Sequence, residues 1–265
     1  MLKTLGSLVL LAVLVAYLRG YRHLRAAGHR PPRWRAVLYV VGLATIAVAL
    51  LALDEQADEL FSMHMVQHLL LIMVAAPLVA LGNPLALVLW GLPRPARRRL
   101  AATLRPGAAV RRVLSALTFM PVAGGVFVVT VWLWHLPVLY DAAAEHEVVH
   151  VLEHAMFFAA GVLFWWPILA PAPRLRARPH PGLQIVYLVA ATAQNTALGM
   201  VLSVPERAFY PHYVRAAERI GVDAVGDQAF GGGLMWTMGH MYLLPIFVIL
   251  WEIAREAGRE STETG

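Results

Sequence analysis

The chain has 265 residues, of which 59% are hydrophobic and only 14% are charged, and its formal net charge is +6. Soluble domains contain about a quarter charged residues, so this composition predicts a helical integral membrane protein. The arginines lie in short segments between apolar runs, which favours a role in membrane orientation over nucleic-acid binding. The sequence has no cysteine, which excludes disulfides, thiolate metal sites and cysteine nucleophiles.

Seven apolar segments, each near the ~20 residues that a bilayer requires, predict an all-α membrane bundle that forms one domain over residues 1–265. The first run, from Leu5 to Leu18, is interpreted as a retained span because its arginines follow the apolar residues instead of preceding them. The third segment contains Pro77 and the tripeptide Gly-Asn-Pro at 82–84, which predict a bend or a re-entrant turn. The predicted spans are 2–18, 36–53, 64–90, 114–135, 148–170, 183–204 and 233–252.

Basic and acidic connections alternate along the chain. Segments 19–35, 94–112 and 173–178 are rich in arginine, whereas segments 54–59 and 136–147 are acidic. Basic loops remain on the cytoplasmic side of a membrane. The alternation therefore predicts that the N-terminus lies outside and the C-terminus lies in the cytoplasm.

Most of the histidines collect at the predicted outer end of the bundle. Ionisable residues at membrane depth are costly and usually face the bundle interior. A single histidine there is explained by an interfacial hydrogen bond, but two His-x-x-x-His pairs at one level indicate a shared ligand. The polar residues at this end are His64, His68, His135, His146, His150, His154, His212 and His240, with Asp227 and Gln228 just before the seventh span.

The stretch "HEVVHVLEH", residues 146–154, would place three histidines along one helical face. Residues i and i+4 have Cβ atoms about 5–6 Å apart, so two imidazoles at this spacing can chelate one ion. His146 and His154 are ~12 Å apart along a helix, which is too far for one ion. The working pair is therefore either His146 with His150 or His150 with His154. The matching pair on span three is His64 with His68.

The residue types around these pairs predict copper, with zinc as the alternative. Neutral imidazole suits both metals, and thioether sulfur favours Cu(I). Met63 and Met65 flank His64, and Met235, Met238 and Met241 surround His240. Most methionines in a bundle serve only to fill its core.

Two other functions fit parts of the pattern. His146-Glu147-x-x-His150 matches the zinc metalloprotease signature, with Glu147 activating water and Asp227 as a third ligand. That hypothesis leaves the histidines of span three unused. A haem-binding electron carrier would need imidazoles from two helices on opposite faces of the ring. The leading hypothesis is a metal-handling protein that is not an enzyme.

Three stretches resemble the CtaG family of membrane proteins: "HMVQHLLL", "HLPVLYDAAAEHEVVHVLEHAMFFAAGVLFWWPIL" and "DQAFGGGLMW". The resemblance extends over residues 36–252. It implies a seven-span protein of the bacterial inner membrane that delivers or inserts copper during assembly of caa-type cytochrome c oxidase. Oxidase subunits would then be its partners, and the predicted orientation would place the metal site on the extracytoplasmic side.

The resemblance also implies which residues form the site, and it does not require His146 or Glu147. We predict that His150 and His154 are the working pair, because they lie deeper in the span than His146. The predicted metal ligands are His64, His68, His150 and His154. Further candidates, as extra ligands or as residues that orient a ligand, are Asp227, Glu153, His240, His135 and Met63.

Overall fold

A computed structural model describes residues 2–263, with side-chain surroundings for residues 3–256. These residues form helices and connecting turns and contain no strand, which confirms the predicted all-α class. The helices are α1 (Leu2–Ala26), α2 (Arg33–Ala47), α3 (Asp54–Glu59), α4 (Phe61–Leu69), α5 (Ala76–Leu81), α6 (Pro84–Gly91), α7 (Arg94–Thr103), α8 (Ala109–Leu117), α9 (Met120–Trp134), α10 (Pro137–Glu145), α11 (Glu147–Leu169), α12 (Pro181–Ser203), α13 (Pro211–Ile220), α14 (Ala224–Gly239) and α15 (Leu243–Glu263).

The number of helices that could cross a bilayer agrees with the predicted seven. A seventh crossing arises if α8 and α9, which meet at 71°, are counted as one broken span. Six continuous runs are long and apolar enough by themselves: Lys3–Ala26, Arg33–Ala52, Phe61–Leu81, Glu147–Leu169, Pro181–Ser203 and Ala224–Glu256.

The third predicted span, 64–90, is divided after Leu81 into the continuous run Phe61–Leu81 and the short helix α6. Asn83 adopts a left-handed conformation (φ 54°), and Pro84 occupies the first turn of α6. A Cβ on Gly20 or on Gly91 would lie 1.7 Å from a main-chain oxygen of the facing helix. The two glycines therefore allow the main chains of α6 and α1 to come into direct contact.

The fourth and seventh predicted spans begin at different residues in the structure. The straight helix α9 begins at Met120 and not at residue 114. α14 begins at Ala224, nine residues before the predicted start, because the Asp223 carboxylate accepts hydrogen bonds from two amides of the first turn. Asp227 and Gln228, expected just before the span, therefore lie inside its first turns.

The bundle has two chemically different ends. One end carries the short helices α3, α10 and α13 and the start of α11, and it is called the histidine end below. There Lys3 forms an ion pair with Asp54. The other end, the arginine end, carries segments 94–112 and 173–178, and there Arg178 lies 3.9 Å from Glu252. The beginning of α1 and the part of α15 near Glu252 thus lie at opposite ends.

Two stretches of π-helix interrupt the spans, Val48–Ala52 after α2 and Leu70–Ala75 between α4 and α5. A π-turn interrupts the regular ladder of main-chain hydrogen bonds. In each stretch a buried side chain binds a carbonyl: Gln67 Nε2 donates to Ala49 O at 2.7 Å, and Trp165 Nε1 donates to Ile72 O at 2.9 Å. These bonds tie the α4–α5 span to α2 on one side and to α11 on the other.

Candidate metal centre

Helix α4 carries His64 and His68 at the histidine end of the bundle. The helix begins at Phe61, directly after Leu60, which is extended (φ −124°, ψ 123°). At i and i+4 the two imidazoles share one helical face, and both are buried. Their Nε2 atoms lie 2.9 Å apart.

Helix α11 contributes three further side chains to the same interior. His150, Glu153 and His154 stand at i, i+3 and i+4, so they share one face of the helix. Glu153 and His154 are buried, whereas His150 is half-buried. α11 lies close to the α4–α5 span, because a Cβ on Gly161 would meet the Ala76 Cβ at 3.2 Å.

The side chains of the two helices converge on one point. One ligand atom from each of His64, His150, Glu153 and His154 lies within 4.8 Å of the other three. His68 adjoins this group, because its Nε2 lies 3.6 Å from Glu153 Oε1. Glu153 Oε2 lies 3.3 Å from His64 Nε2. We call these five residues the histidine cluster.

Several polar atoms of the histidine cluster have no hydrogen-bond partner among the described residues. They are His68 Nδ1, His150 Nε2, His154 Nε2 and both carboxylate oxygens of Glu153, and all are buried. Buried polar atoms are nearly always paired, since leaving them unpaired costs about 1–3 kcal/mol each. A carboxylate inside a membrane bundle also needs a positive counter-charge. One cation among these atoms would satisfy both requirements.

Tyr213, on the short helix α13, orients His64. The Tyr213 hydroxyl donates to the main-chain oxygen of Ala57 at 2.8 Å and lies 2.8 Å from His64 Nδ1. Burial raises the pKa of Tyr213 well above its usual value, so the hydroxyl stays protonated. Because its only proton goes to Ala57, it accepts the proton of His64 Nδ1–H. His64 Nε2 is then left with a lone pair that faces the cluster, as in a metal-bound imidazole.

We expect Tyr213→Phe to lower the metal affinity of the purified protein by about 10- to 100-fold, the usual cost of losing a group that orients a ligand. Affinity would be measured by competition with a chelator. The matched control is Tyr187→Phe, because the Tyr187 hydroxyl also donates to a carbonyl, that of Phe164, but lies outside the cluster. Equal affinities in the two variants would contradict the role of Tyr213.

His135 brings a fifth imidazole near the cluster. Its Nδ1 donates to Val131 O at 2.6 Å, and its ring centre lies 6.1 Å from that of His68. Its Nε2 is buried and has no partner within the described part of the chain. His135 therefore offers a further lone pair beside the cluster.

A family model described as "cytochrome c oxidase caa3 assembly factor" matches residues 15–256. The chain belongs to this family. The match confirms the resemblance that the three sequence stretches indicated. It covers every element that contributes to the histidine cluster.

Curated relatives of this caa3 assembly factor family member occur in mycobacteria. Proteins of Mycobacterium bovis and Mycobacterium tuberculosis, both described as uncharacterized, are 26% identical over 245 residues, which is 89% of this chain and 36% of each relative. An uncharacterized protein of Mycobacterium leprae is 23% identical over 255 residues, 93% of this chain and 37% of the relative. The chain thus spans little more than a third of the length of these relatives. No solved structure matches it.

Asp227, His240 and Met63 lie in different surroundings. Both carboxylate oxygens of Asp227 lie 3.4 Å from the amide nitrogen of Ser62, at the start of α4. Asp227 therefore holds the N-terminus of the helix that carries His64. His240 is exposed, with Nδ1 3.0 Å from Trp236 O, and it lies ~24 Å along α14 from the start of that helix, so its predicted place at the histidine end is wrong. Met63 is half-buried and, as the neighbour of His64, points about 100° away around the helix.

The metalloprotease signature does not form its usual geometry in this member of the caa3 assembly factor family. His146 is the residue before α11, with an extended backbone (φ −129°, ψ 112°), so it is not on the helical face of His150. Both His146 and Glu147 are exposed. Of the three residues that the signature requires, only His150 belongs to the cluster.

The arrangement also differs from a haem site with two axial histidines. A porphyrin would have to pass between the imidazoles of α4 and those of α11. The imidazoles of the two helices are already in contact with each other, and the carboxylate of Glu153 contacts both histidines of α4. The ring centres of His64 and His150 are only 5.0 Å apart.

Proposed function

We propose that this chain binds a copper ion at the histidine cluster and passes it to a subunit of cytochrome c oxidase during assembly of the enzyme. Its membership of the caa3 assembly factor family supports the oxidase as the destination. The proposal places the protein in the bacterial inner membrane, with the cluster on the extracytoplasmic side.

The observation that carries the proposal is the convergence of unpartnered buried donors from α4 and α11. The competing explanation is a buried proton, because one protonated imidazole beside Glu153 would also balance the carboxylate. A proton would satisfy one or two of these atoms. It would leave the buried Nε2 atoms of His150 and His154 unpaired, which is the costly arrangement that a metal ion removes.

The donor set favours copper or zinc over the hard cations. Imidazole nitrogen outnumbers carboxylate oxygen in the cluster, and magnesium and calcium prefer oxygen ligands. Five side chains exceed the four ligands of a closed tetrahedral site. A surplus of ligands suits transfer, since one imidazole can leave the ion while the others still hold it.

Metal analysis tests this proposal directly. The protein would be purified without added metal from cells grown with copper, and its metals would be measured by mass spectrometry. We expect about one copper ion per chain, as one cluster would hold one ion. Zinc in place of copper would retain the site and reject the cargo. If the protein binds neither metal, even after incubation with copper, the alternative of a buried ion pair between Glu153 and a protonated imidazole is correct.

The proposed orientation can be tested with single cysteines, because the natural sequence contains none. Glu218→Cys places a thiol on an exposed position of α13 at the histidine end, and Ala177→Cys places one on an exposed position at the arginine end. In intact cells, a membrane-impermeant thiol reagent should label Cys at 218 and leave Cys at 177 unmodified until the cells are opened. The reverse pattern would place the cluster on the cytoplasmic side.

A further inference from the structure

The histidine cluster is accessible from one side only among the described surroundings. Of its five side chains, His150 is the one that is not buried. His150 and His154 are among the residues that line a groove of about 540 Å³ between α1, the end of α2 and α11. His154 is only 5% exposed, and its Nε2 has no partner within the described chain. The groove is thus lined by a residue that carries an unpaired buried nitrogen.

The walls of the groove are mostly apolar, and its mouth is charged. Leu10 and Phe158 contribute to the walls, whereas Asp54 and Asp58 lie at the histidine end of the groove. Asp54 is paired with Lys3, but Asp58 forms no ion pair among residues 3–256 and is exposed. A negative charge at a mouth with low-dielectric walls raises the local concentration of cations and their rate of entry.

We propose that this groove is the path by which the metal cation enters the cluster, an inference that rests on the proposed function. Asp58 attracts the ion at the mouth of the groove, and His150 is the first imidazole that binds it. The ion then moves inward to His154 and Glu153. A cluster that held only a proton would not require a groove of this size, because protons reach buried groups through far narrower paths.

Gly6 offers a way to obstruct the groove without disturbing the cluster. It lies on α1 and lines the groove, and a Cβ built on it meets no atom within 4 Å. Gly6→Leu would place a side chain in the groove, and leucine is a better helix former than glycine. The matched control is Gly125→Leu on α9, where an added Cβ also meets no atom within 4 Å.

The experiment measures how fast the full chain, stripped of metal and placed in lipid nanodiscs, takes up copper ions supplied with a weak competing chelator. Uptake would be followed by the chelator's absorbance in rapid mixing. We expect Gly6→Leu to slow uptake several-fold and Gly125→Leu to match the wild type. Asp58→Asn should slow uptake about threefold at low salt, and the difference should fade at high salt because screening removes the attraction.

All of these variants should bind the same amount of copper at equilibrium, since none of the substituted residues belongs to the cluster. Wild-type uptake rates in both Gly6→Leu and Asp58→Asn would overturn the groove as the entry path while leaving the metal site intact. If the wild type itself takes up no copper, the proposed function fails and the groove with it. The two failures are therefore distinguishable.

Discussion

Replacing His154 with alanine is expected to remove most of the bound copper and most of the oxidase activity of the cells. The substitution deletes a buried donor whose Nε2 has no other partner in the described structure. Loss of a direct ligand should cost at least the 10- to 100-fold in affinity that follows from loss of an orienting group. His64→Ala should have the same effect.

The measurement compares copper per chain with oxidase activity in membranes from the same cells. His29→Ala is the matched control, because His29 is exposed and lies in the arginine-rich segment far along the chain from the cluster. His154→Gln, which keeps more of the volume, and a thermal unfolding curve would separate metal loss from misfolding. A folded His154→Ala protein with full copper would reject the cluster as the site.

Two glutamates of α11 that are six residues apart, Glu147 and Glu153, are expected to differ strongly in their effect on copper binding. Glu153→Gln keeps the size of the side chain but removes the only carboxylate of the cluster, so we expect the affinity for copper to fall by at least about tenfold. Glu147→Gln removes an exposed carboxylate one turn before His150. It should leave bound copper and oxidase activity at the wild-type level.

A metalloprotease would give the opposite result. There Glu147 would activate the attacking water, so Glu147→Gln would abolish function while the metal stayed bound. Copper content and oxidase activity, measured side by side in both variants, separate the two hypotheses. Full activity in Glu153→Gln together with inactive Glu147→Gln would favour hydrolysis and reject copper delivery.

The sequence predicted the helical class, the family and the end of the bundle at which polar residues collect. Length and hydropathy sufficed for the approximate number of spans, since a bilayer demands about 20 apolar residues for each crossing, but not for the bounds of the third, fourth and seventh. The sequence also placed His64, His68, His150 and His154 as candidates from their i, i+4 spacing. That these four are metal ligands stays a prediction until metal is measured.

The short helices at the histidine end were not predicted. Residues 136–147 and 205–232 lie between predicted spans, yet they contain α10 and α13. Tyr213, which orients His64, belongs to α13 and was not among the candidate residues. A search for long apolar runs overlooks such helices, but the spacing of Tyr213, Ala216 and Ala217 on one buried face carries the signal of an amphipathic helix.

What the sequence determined by itself follows from local rules: which segments are apolar enough to cross a membrane, and which histidines share a helical face. Tertiary structure alone decided that Glu153 contacts both histidines of α4, that Asp227 contacts the amide of Ser62, and that a groove beside α1 reaches His150. These depend on how α11 packs against the π-interrupted span of α4 and α5. A π-turn rotates the residues on either side of it relative to each other, and no pattern of residue spacing along one helix reveals that rotation.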